Sequence, residues 1–173
     1  MDKVLEVLKK GMATELWGMR FYEQAVARTE SEAGKKVFQS LVAEEEGHLD
    51  ILRGEYASVA GDKDWVSRED AKALAASVDP EEIFPEAATV EALIPDDATD
   101  EQALKLAMDF EMRGFKLYEE AAKGAASPAE KAVWDFLAKA EDAHYAFLQQ
   151  TYDYLTTNGV WYFDDQELPF FEG

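Results

Sequence analysis

The chain has 173 residues, 37 of them acidic and 17 basic, for a formal charge of −20, and it contains no cysteine. A chain of this length can bury a core without staples, and the missing thiols exclude disulfides, iron–sulfur clusters and thiolate zinc sites, leaving oxygen and nitrogen as ligands for any metal. So acidic a chain has no basic patch for nucleic-acid phosphates; its charge either keeps it soluble or concentrates cations at an opening.

In chain order, Met1-Asp2-Lys3-Val4-Leu5 has neither the basic start nor the apolar run of a signal peptide. No stretch approaches the ~18 apolar residues of a membrane span, so a cytoplasmic protein without membrane partners is expected. A first long helix carries Leu8, Met12, Met19, Tyr22 and Val26 at three- and four-residue spacing. Thr29-Glu30-Ser31-Glu32 predicts a capping box that opens a second long helix. From Gly61 to Thr99 the pattern breaks, with Pro80, Pro85 and Pro95. A structureless loop of that length is unusual, so a crossover along the bundle is expected, with a short helix at 67–78. Thr99-Asp100-Glu101-Gln102 opens a third long helix, and Ser127-Pro128-Ala129-Glu130 opens a fourth with an N-cap serine and a proline at the first helical position. Asn158-Gly159 ends it. The tail, Val160-Trp161-Tyr162-Phe163 and Leu168-Pro169-Phe170-Phe171, is aromatic enough to pack on the bundle or on a second subunit. The expected organisation is one domain over 1–173: a helix hairpin (1–60), a crossover (61–98), a second hairpin (99–157) and the tail (158–173).

The two hairpins are an internal duplication offset by 96 residues. Glu15, Glu45 and His48 lie over Glu111, Glu141 and His144, and Val37-Phe38, Leu41 and Leu52 lie over Val133-Trp134, Leu137 and Leu148. Positions i and i+3 share a helix face, so each Glu-x-x-His presents a carboxylate with an imidazole. Glu15 and Glu45 are equidistant from the first turn, and Glu111 and Glu141 from the second. At 1.5 Å per residue, all four sit about 20 Å from their turns, near mid-bundle. Their apolar neighbours point all six residues inward. Four buried carboxylates without cations cost several kcal/mol each, whereas two divalent ions balance their charge. An oxygen and nitrogen ligand set suits iron or manganese, with zinc as a further possibility. Tyr22 and Tyr118, two turns beyond Glu15 and Glu111, are either hydrogen-bond donors to ligand carboxylates, electron relays or ordinary core residues. Glu44, Glu46 and Asp142 are read as solvated helix surface, and Trp17 and Trp134 as packing residues. Gly18 and Gly114 either leave space for a small oxidant or allow close helix packing.

Glu15–Tyr22 and Glu111–Tyr118, each of the form Glu-x-x-Gly-x-x-(aromatic or Leu)-Tyr, together with the two Glu-x-x-His pairs, resemble the rubrerythrin-related branch of the ferritin-like di-iron superfamily over roughly residues 1–157. The resemblance implies an all-α, ferritin-like antiparallel four-helix bundle with one long crossover between the second and third long helices. It also implies two iron ions held by Glu15, Glu45, His48, Glu111, Glu141 and His144. The histidines are then terminal ligands, and either Glu45 and Glu141 or Glu15 and Glu111 bridge. Rubrerythrins carry a four-cysteine rubredoxin domain that delivers electrons, and these 173 residues hold no cysteine. They also carry a further glutamate, tied to iron movement in the peroxidase cycle, where this chain has Gly114.

The reaction expected is oxidation of a diferrous centre by H₂O₂ or O₂, sustained by an external donor such as a rubredoxin-like protein or a flavoprotein, with two metals about 3.5–4 Å apart. The rivals are a ferroxidase that handles iron, an oxygenase with an organic substrate, and a metal-stabilised bundle that acts through partners. A homodimer is the base-rate assembly.

Overall fold

The computed structural model describes residues 2–61, 66–80, 83 and 93–161. Five helices occupy them: α1 (Asp2–Arg28), α2 (Glu32–Ala60), α3 (Arg68–Ala75), α4 (Asp100–Gly124) and α5 (Pro128–Asn158). The helix ends follow local chemistry. Thr99 and Gln102 form a complete capping box, Ser127 accepts from the Glu130 amide with Pro128 in the first turn, and Gly159 closes α5 at φ 71°, a conformation that favours glycine.

The capping box expected at Thr29 is not formed. The Thr29 amide donates to Ala25, still completing α1, and its hydroxyl donates to Asp100 at 3.1 Å. Ser31 caps α2 instead, accepting from the Gly34 amide at 3.2 Å. At the start of α5 the Glu130 carboxylate accepts from Ala126, one residue before the cap.

α1 pairs with α2 and α4 with α5, while α1 also meets α4 and α3. The crossover begins beside the C-terminal half of α2, where Arg53 donates to the Val66 carbonyl at 2.7 Å and Arg68 pairs with Glu46. It ends at the opposite end of the bundle, where Arg28 donates to the Pro95 carbonyl and holds Asp96 at 2.7 Å. The chain therefore runs back along the bundle between hairpins, as expected, and α4 starts where α1 finishes. The short helix expected over 67–78 is confined to α3, with Ser67 as its N-cap. Residues 62–65, 81–82 and 84–92, which include Pro85, lie outside the described residues.

After α5, Trp161 is buried, sits edge-on to Phe38 with ring centroids 5.8 Å apart, and donates to Asp100 at 3.0 Å. The rest of the aromatic tail, 162–173, lies outside the described residues. No helix among the described residues is long and apolar enough to cross a membrane.

Two apolar clusters fill the interior. One includes Phe21, Tyr22, Phe38, Leu41, Phe110 and Leu148, and the other Leu8, Met12, Leu52, Tyr118, Trp134 and Leu137. Each large side chain fully buried in them contributes roughly 1.5–3 kcal/mol. In sequence, Glu15, Glu45, His48, Glu111, Glu141 and His144 fall between members of the two clusters on their helices, and all six are buried. The apolar core thus brackets one polar layer.

Candidate metal centre

Each helix of the bundle delivers its part of this layer through ordinary helical spacing. On α2, Glu45 and His48 are one turn apart, and His48 Nδ1 lies 3.1 Å from Glu45 Oε2, 3.5 Å from Glu15 Oε2 and 3.7 Å from Glu141 Oε1. On α5, His144 Nδ1 lies 3.3 Å from Glu111 Oε2, 3.8 Å from Glu45 Oε1 and 3.9 Å from Glu141 Oε2. The two imidazoles stack across the α2–α5 face, with centroids 5.3 Å apart and planes at 24°.

All six residues singled out in the sequence are brought together. They form two overlapping groups, Glu15–Glu45–His48–Glu141 and Glu45–Glu111–Glu141–His144, whose ligand atoms lie within 4.8 Å of one another in each. Glu45 and Glu141 belong to both. The structure thereby separates the four glutamates, which spacing alone left equivalent, into a shared pair and two that each serve one group.

Tyr22 and Tyr118 are hydrogen-bond donors across the hairpins. Tyr22 on α1 donates to Glu111 on α4, and Tyr118 on α4 donates to Glu15 on α1. Helical side chains lean toward their own N-terminus, and because each tyrosine lies two turns C-terminal to the glutamate of its own helix, both lean back toward mid-bundle. Burial, and then the charge of Glu111 or Glu15, pushes each hydroxyl well above the ordinary phenol range, so both keep the proton they donate.

The carboxyls divide in the same way as the ligand groups. Burial, reinforced by the neighbouring carboxylates, pushes Glu45 and Glu141 well above the usual carboxylate range. Burial also pushes Glu15 up, but the adjacent Glu45 and His48, the charge of His48 and the hydrogen bond from Tyr118 outweigh it and bring Glu15 below its ordinary value. Glu111 follows the same course, with the charge of His144 and bonds from Glu141, His144 and Tyr22 overcoming burial. Burial lowers His48, yet the adjacent Glu15 carboxylate and the other carboxylates around it leave it raised.

Hydrogen bonding within the protein does not satisfy the layer. Glu15 Oε2 and Glu141 Oε1 are buried without a hydrogen-bond partner, and both face His48 Nδ1. Buried polar atoms are normally paired, and two acceptors aimed toward one imidazole are what a cation ligated there would satisfy. Four carboxylates and two imidazoles, with no sulfur, fit iron or manganese. The donor set and the two orphaned oxygens therefore fit metal ions held by Glu15, Glu45, His48, Glu111, Glu141 and His144.

Three side chains depart from expectation or escaped it. Glu44 does not simply face solvent: it is half-buried, and its carboxylate lies within ligand range of ring nitrogens of both His48 and His144. The signal was present, because Glu44 precedes His48 by four residues and so shares its helix face. Phe136, which sequence reasoning missed, sits edge-on to His48 at 6.5 Å while remaining exposed. Glu46 pairs with Arg68, and Asp142 is exposed. The packing assigned to Trp134 is a stack on Tyr118 at 5.9 Å, and Trp17 lies half-buried beneath the Arg20 guanidinium.

The glycines make room for carboxylates. A Cβ at Gly114 would stand 3.1 Å from Cδ of Glu141, and one at Gly18 would stand 3.5 Å from Oε1 of Glu45. The space beside each glycine is thus taken by one of the two shared glutamates. Two clefts of about 430 and 350 Å³ open where α1 begins and α4 turns into α5, and neither is lined by any of the six residues.

Comparison with known proteins agrees with this architecture. The chain resembles a hypothetical protein from Pyrococcus furiosus at 20% identity, over 89% of this chain and 90% of that one, with a TM-score of 0.67. It resembles a dodecameric, bacterioferritin-related thioferritin from Bacteroides fragilis at 15% identity, over 91% and 87%, with a TM-score of 0.65. It also covers 39% of a two-domain protein from Anabaena variabilis containing DJ-1/ThiJ/PfpI-like and ferritin-like domains, with 96% of this chain matched at 15% identity and a TM-score of 0.64. At these identities the likeness shows a shared fold, a ferritin-like helical bundle. No curated protein matches the sequence. The Rubrerythrin family does match, over residues 6–152, a span that takes in all six residues of the polar layer and both tyrosines, and the chain belongs to that family.

Proposed function

We propose that the chain is a non-haem di-iron oxidoreductase that reduces H₂O₂ or O₂ with electrons supplied from outside. One observation carries this reading: the two buried ligand groups overlap, sharing Glu45 and Glu141, so that two ions would sit side by side rather than at separate sites. With iron bound, the centre supplies two electrons by passing from Fe²⁺–Fe²⁺ to Fe³⁺–Fe³⁺, which with two protons takes H₂O₂ to two waters.

The chain's own residues do the rest. Glu15 and His48 would hold metal on one side and Glu111 and His144 on the other, with Glu45 and Glu141 available to both. Tyr118 and Tyr22 hold Glu15 and Glu111 in place. The apolar clusters on either side exclude bulk water. Electrons are taken from an external donor; a rubredoxin-like protein or a flavoprotein in the cytoplasm fits that role. A homodimer is the assembly we assign.

A ferroxidase is the second reading, favoured by Glu44, a further, half-buried carboxylate grouped with both histidines.

Anaerobic loading with Fe²⁺ separates these readings. About two irons per chain, followed by donor-dependent peroxide consumption that is lost in Glu45→Ala, supports the oxidoreductase. Many irons oxidised per chain supports the ferroxidase. A loaded protein inert to both H₂O₂ and O₂ would sink both.

A further inference from the structure

Glu44 interrupts the internal symmetry of the bundle. The duplication places Ala140 at the equivalent position of α5, so the Glu44 carboxylate has no symmetry-related counterpart beside the imidazoles. Glu44, His48 and His144 form a group whose ligand atoms all lie within 4.8 Å of one another, and it differs from the two inner groups in that Glu44 is half-buried while their members are all buried. One carboxylate and two imidazoles are an adequate donor set for Fe²⁺, Mn²⁺, Co²⁺ or Zn²⁺.

A second, independent observation lies on the inner side of His48. The two orphaned oxygens, Glu15 Oε2 and Glu141 Oε1, are 3.5 and 3.7 Å from its Nδ1. His48 is thus bordered by Glu44 toward the surface and by unpaired acceptors within. The exposed ring of Phe136, edge-on to His48, marks how near this imidazole is to solvent.

We propose that Glu44, with His48 and His144, is an outer cation station through which divalent metal reaches the buried centre, passing His48 to fill the Glu15–Glu45–His48–Glu141 group. The inference rests on the metal-centre reading above. A cation drawn by the acidic surface exchanges part of its water shell for the Glu44 carboxylate and an imidazole. It is then separated from two waiting oxygens by a single ring. Rotation of His48 transfers it inward without exposing a bare ion to the apolar core, where the desolvation penalty would be prohibitive.

The bland alternative is that Glu44 only orients the imidazoles, as carboxylates behind metal-bound histidines do. The two differ in what they control: a station sets the rate of loading, and an orienting partner sets the affinity of the loaded state.

Stopped-flow uptake of Co²⁺ by the full chain, followed through its visible absorption, distinguishes them, with final stoichiometry and dissociation constant measured at equilibrium. The wild type is expected to bind two ions. Glu44→Gln should still bind two with little change in affinity but load at least tenfold more slowly, while Asp142→Asn, which removes a charge from the neighbouring exposed surface, loads at the wild-type rate. Uptake by Glu44→Gln at the wild-type rate would overturn the station. So would slowing by Asp142→Asn to the same degree, which makes the effect one of bulk charge, or a weakened equilibrium affinity with unchanged uptake, which makes Glu44 an orienting partner. A wild type that binds no Co²⁺ would overturn the metal centre and the station together, an outcome distinct from failure of the station alone.

Discussion

Tyr118 and Glu15 lie 103 residues apart in the chain and meet at mid-bundle, the hydroxyl of one donating to Oε1 of the other. Tyr22 and Glu111 repeat the arrangement in the opposite sense. Each hairpin therefore holds a carboxylate of the other, and the bond that positions this carboxylate also registers α1 against α4. Tyr118 stacks on Trp134 and Tyr22 on Phe38, so the rings are fixed independently of their hydroxyls.

Substitution with phenylalanine isolates the hydroxyl. In Tyr118→Phe the stack on Trp134 survives, and Glu15 Oε1 joins Oε2 as a buried acceptor without a partner. An unsatisfied buried group costs about 1–3 kcal/mol, and loss of a partner behind a metal ligand typically costs 10–100-fold in metal affinity. Urea unfolding of the metal-free protein should show the first loss and Mn²⁺ titration the second. Tyr22→Phe should match both within a factor of a few. Wild-type affinity in both variants would show that the tyrosines are ordinary core residues.

Gly114 and Gly18 are equivalent in the duplication and unequal in the structure. At Gly114 a Cβ would crowd Glu141 at 3.1 and 3.3 Å, whereas at Gly18 the nearest atom, Glu45 Oε1, is at an ordinary 3.5 Å. Both lie within helices, where alanine is preferred to glycine by about 0.5–1 kcal/mol. Gly18→Ala should therefore be neutral or slightly stabilising and still bind two Mn²⁺. Gly114→Ala should push Glu141 out of its shared position, offset the helical gain with an overpacking cost of about 1–3 kcal/mol, and reduce the bound metal. Urea midpoints and metal stoichiometry measured on the two variants side by side would decide this; equal behaviour would mean that Glu141 can give way freely.

The clustering of the six residues was legible because it depends on two things a sequence displays: helical spacing, which pairs Glu45 with His48, and the duplication, which repeats the pair at Glu141 and His144. The division of the glutamates was not legible. Whether Glu15 or Glu45 belongs to both groups depends on how α1 and α4 pack, and both residues are inward and level in the sequence. Glu44 was misread because a charged residue beside a ligand usually faces water; here its i−4 relation to His48 prevails. The cap at Ser31 was missed by two residues because Asp100, 71 positions away, claims the hydroxyl of Thr29. Local pattern placed the helices, and long-range partners decided the details.

The opposed shifts of the carboxyls fix the direction in which pH acts on metal binding. Glu45 and Glu141 are raised well above the usual carboxylate range. In the metal-free protein they cost nothing at low pH, where folded and unfolded chains both hold the proton. Their penalty grows as pH rises above the unfolded value of about 4.3. His48 is also raised, so its contribution is present below the unfolded value of about 6.5 and is lost as pH rises through the folded one. Glu15 and Glu111 are lowered, and the stability they contribute is present above the unfolded value and lost only as the solution becomes acid. Between pH 6 and 8 the metal-free protein should therefore lose stability. Divalent ions require the same groups deprotonated, so affinity should rise over that interval and binding should release protons. Thermal melts with and without Mn²⁺ at pH 6 and 8 test the direction, and calorimetry in two buffers of different ionisation enthalpy counts the protons. The metal-induced rise in Tm should be larger at pH 8. A rise that is equal at both values, with no protons released, would mean that Glu45 and Glu141 are already ionised before metal arrives and that neither binds it in place of a proton.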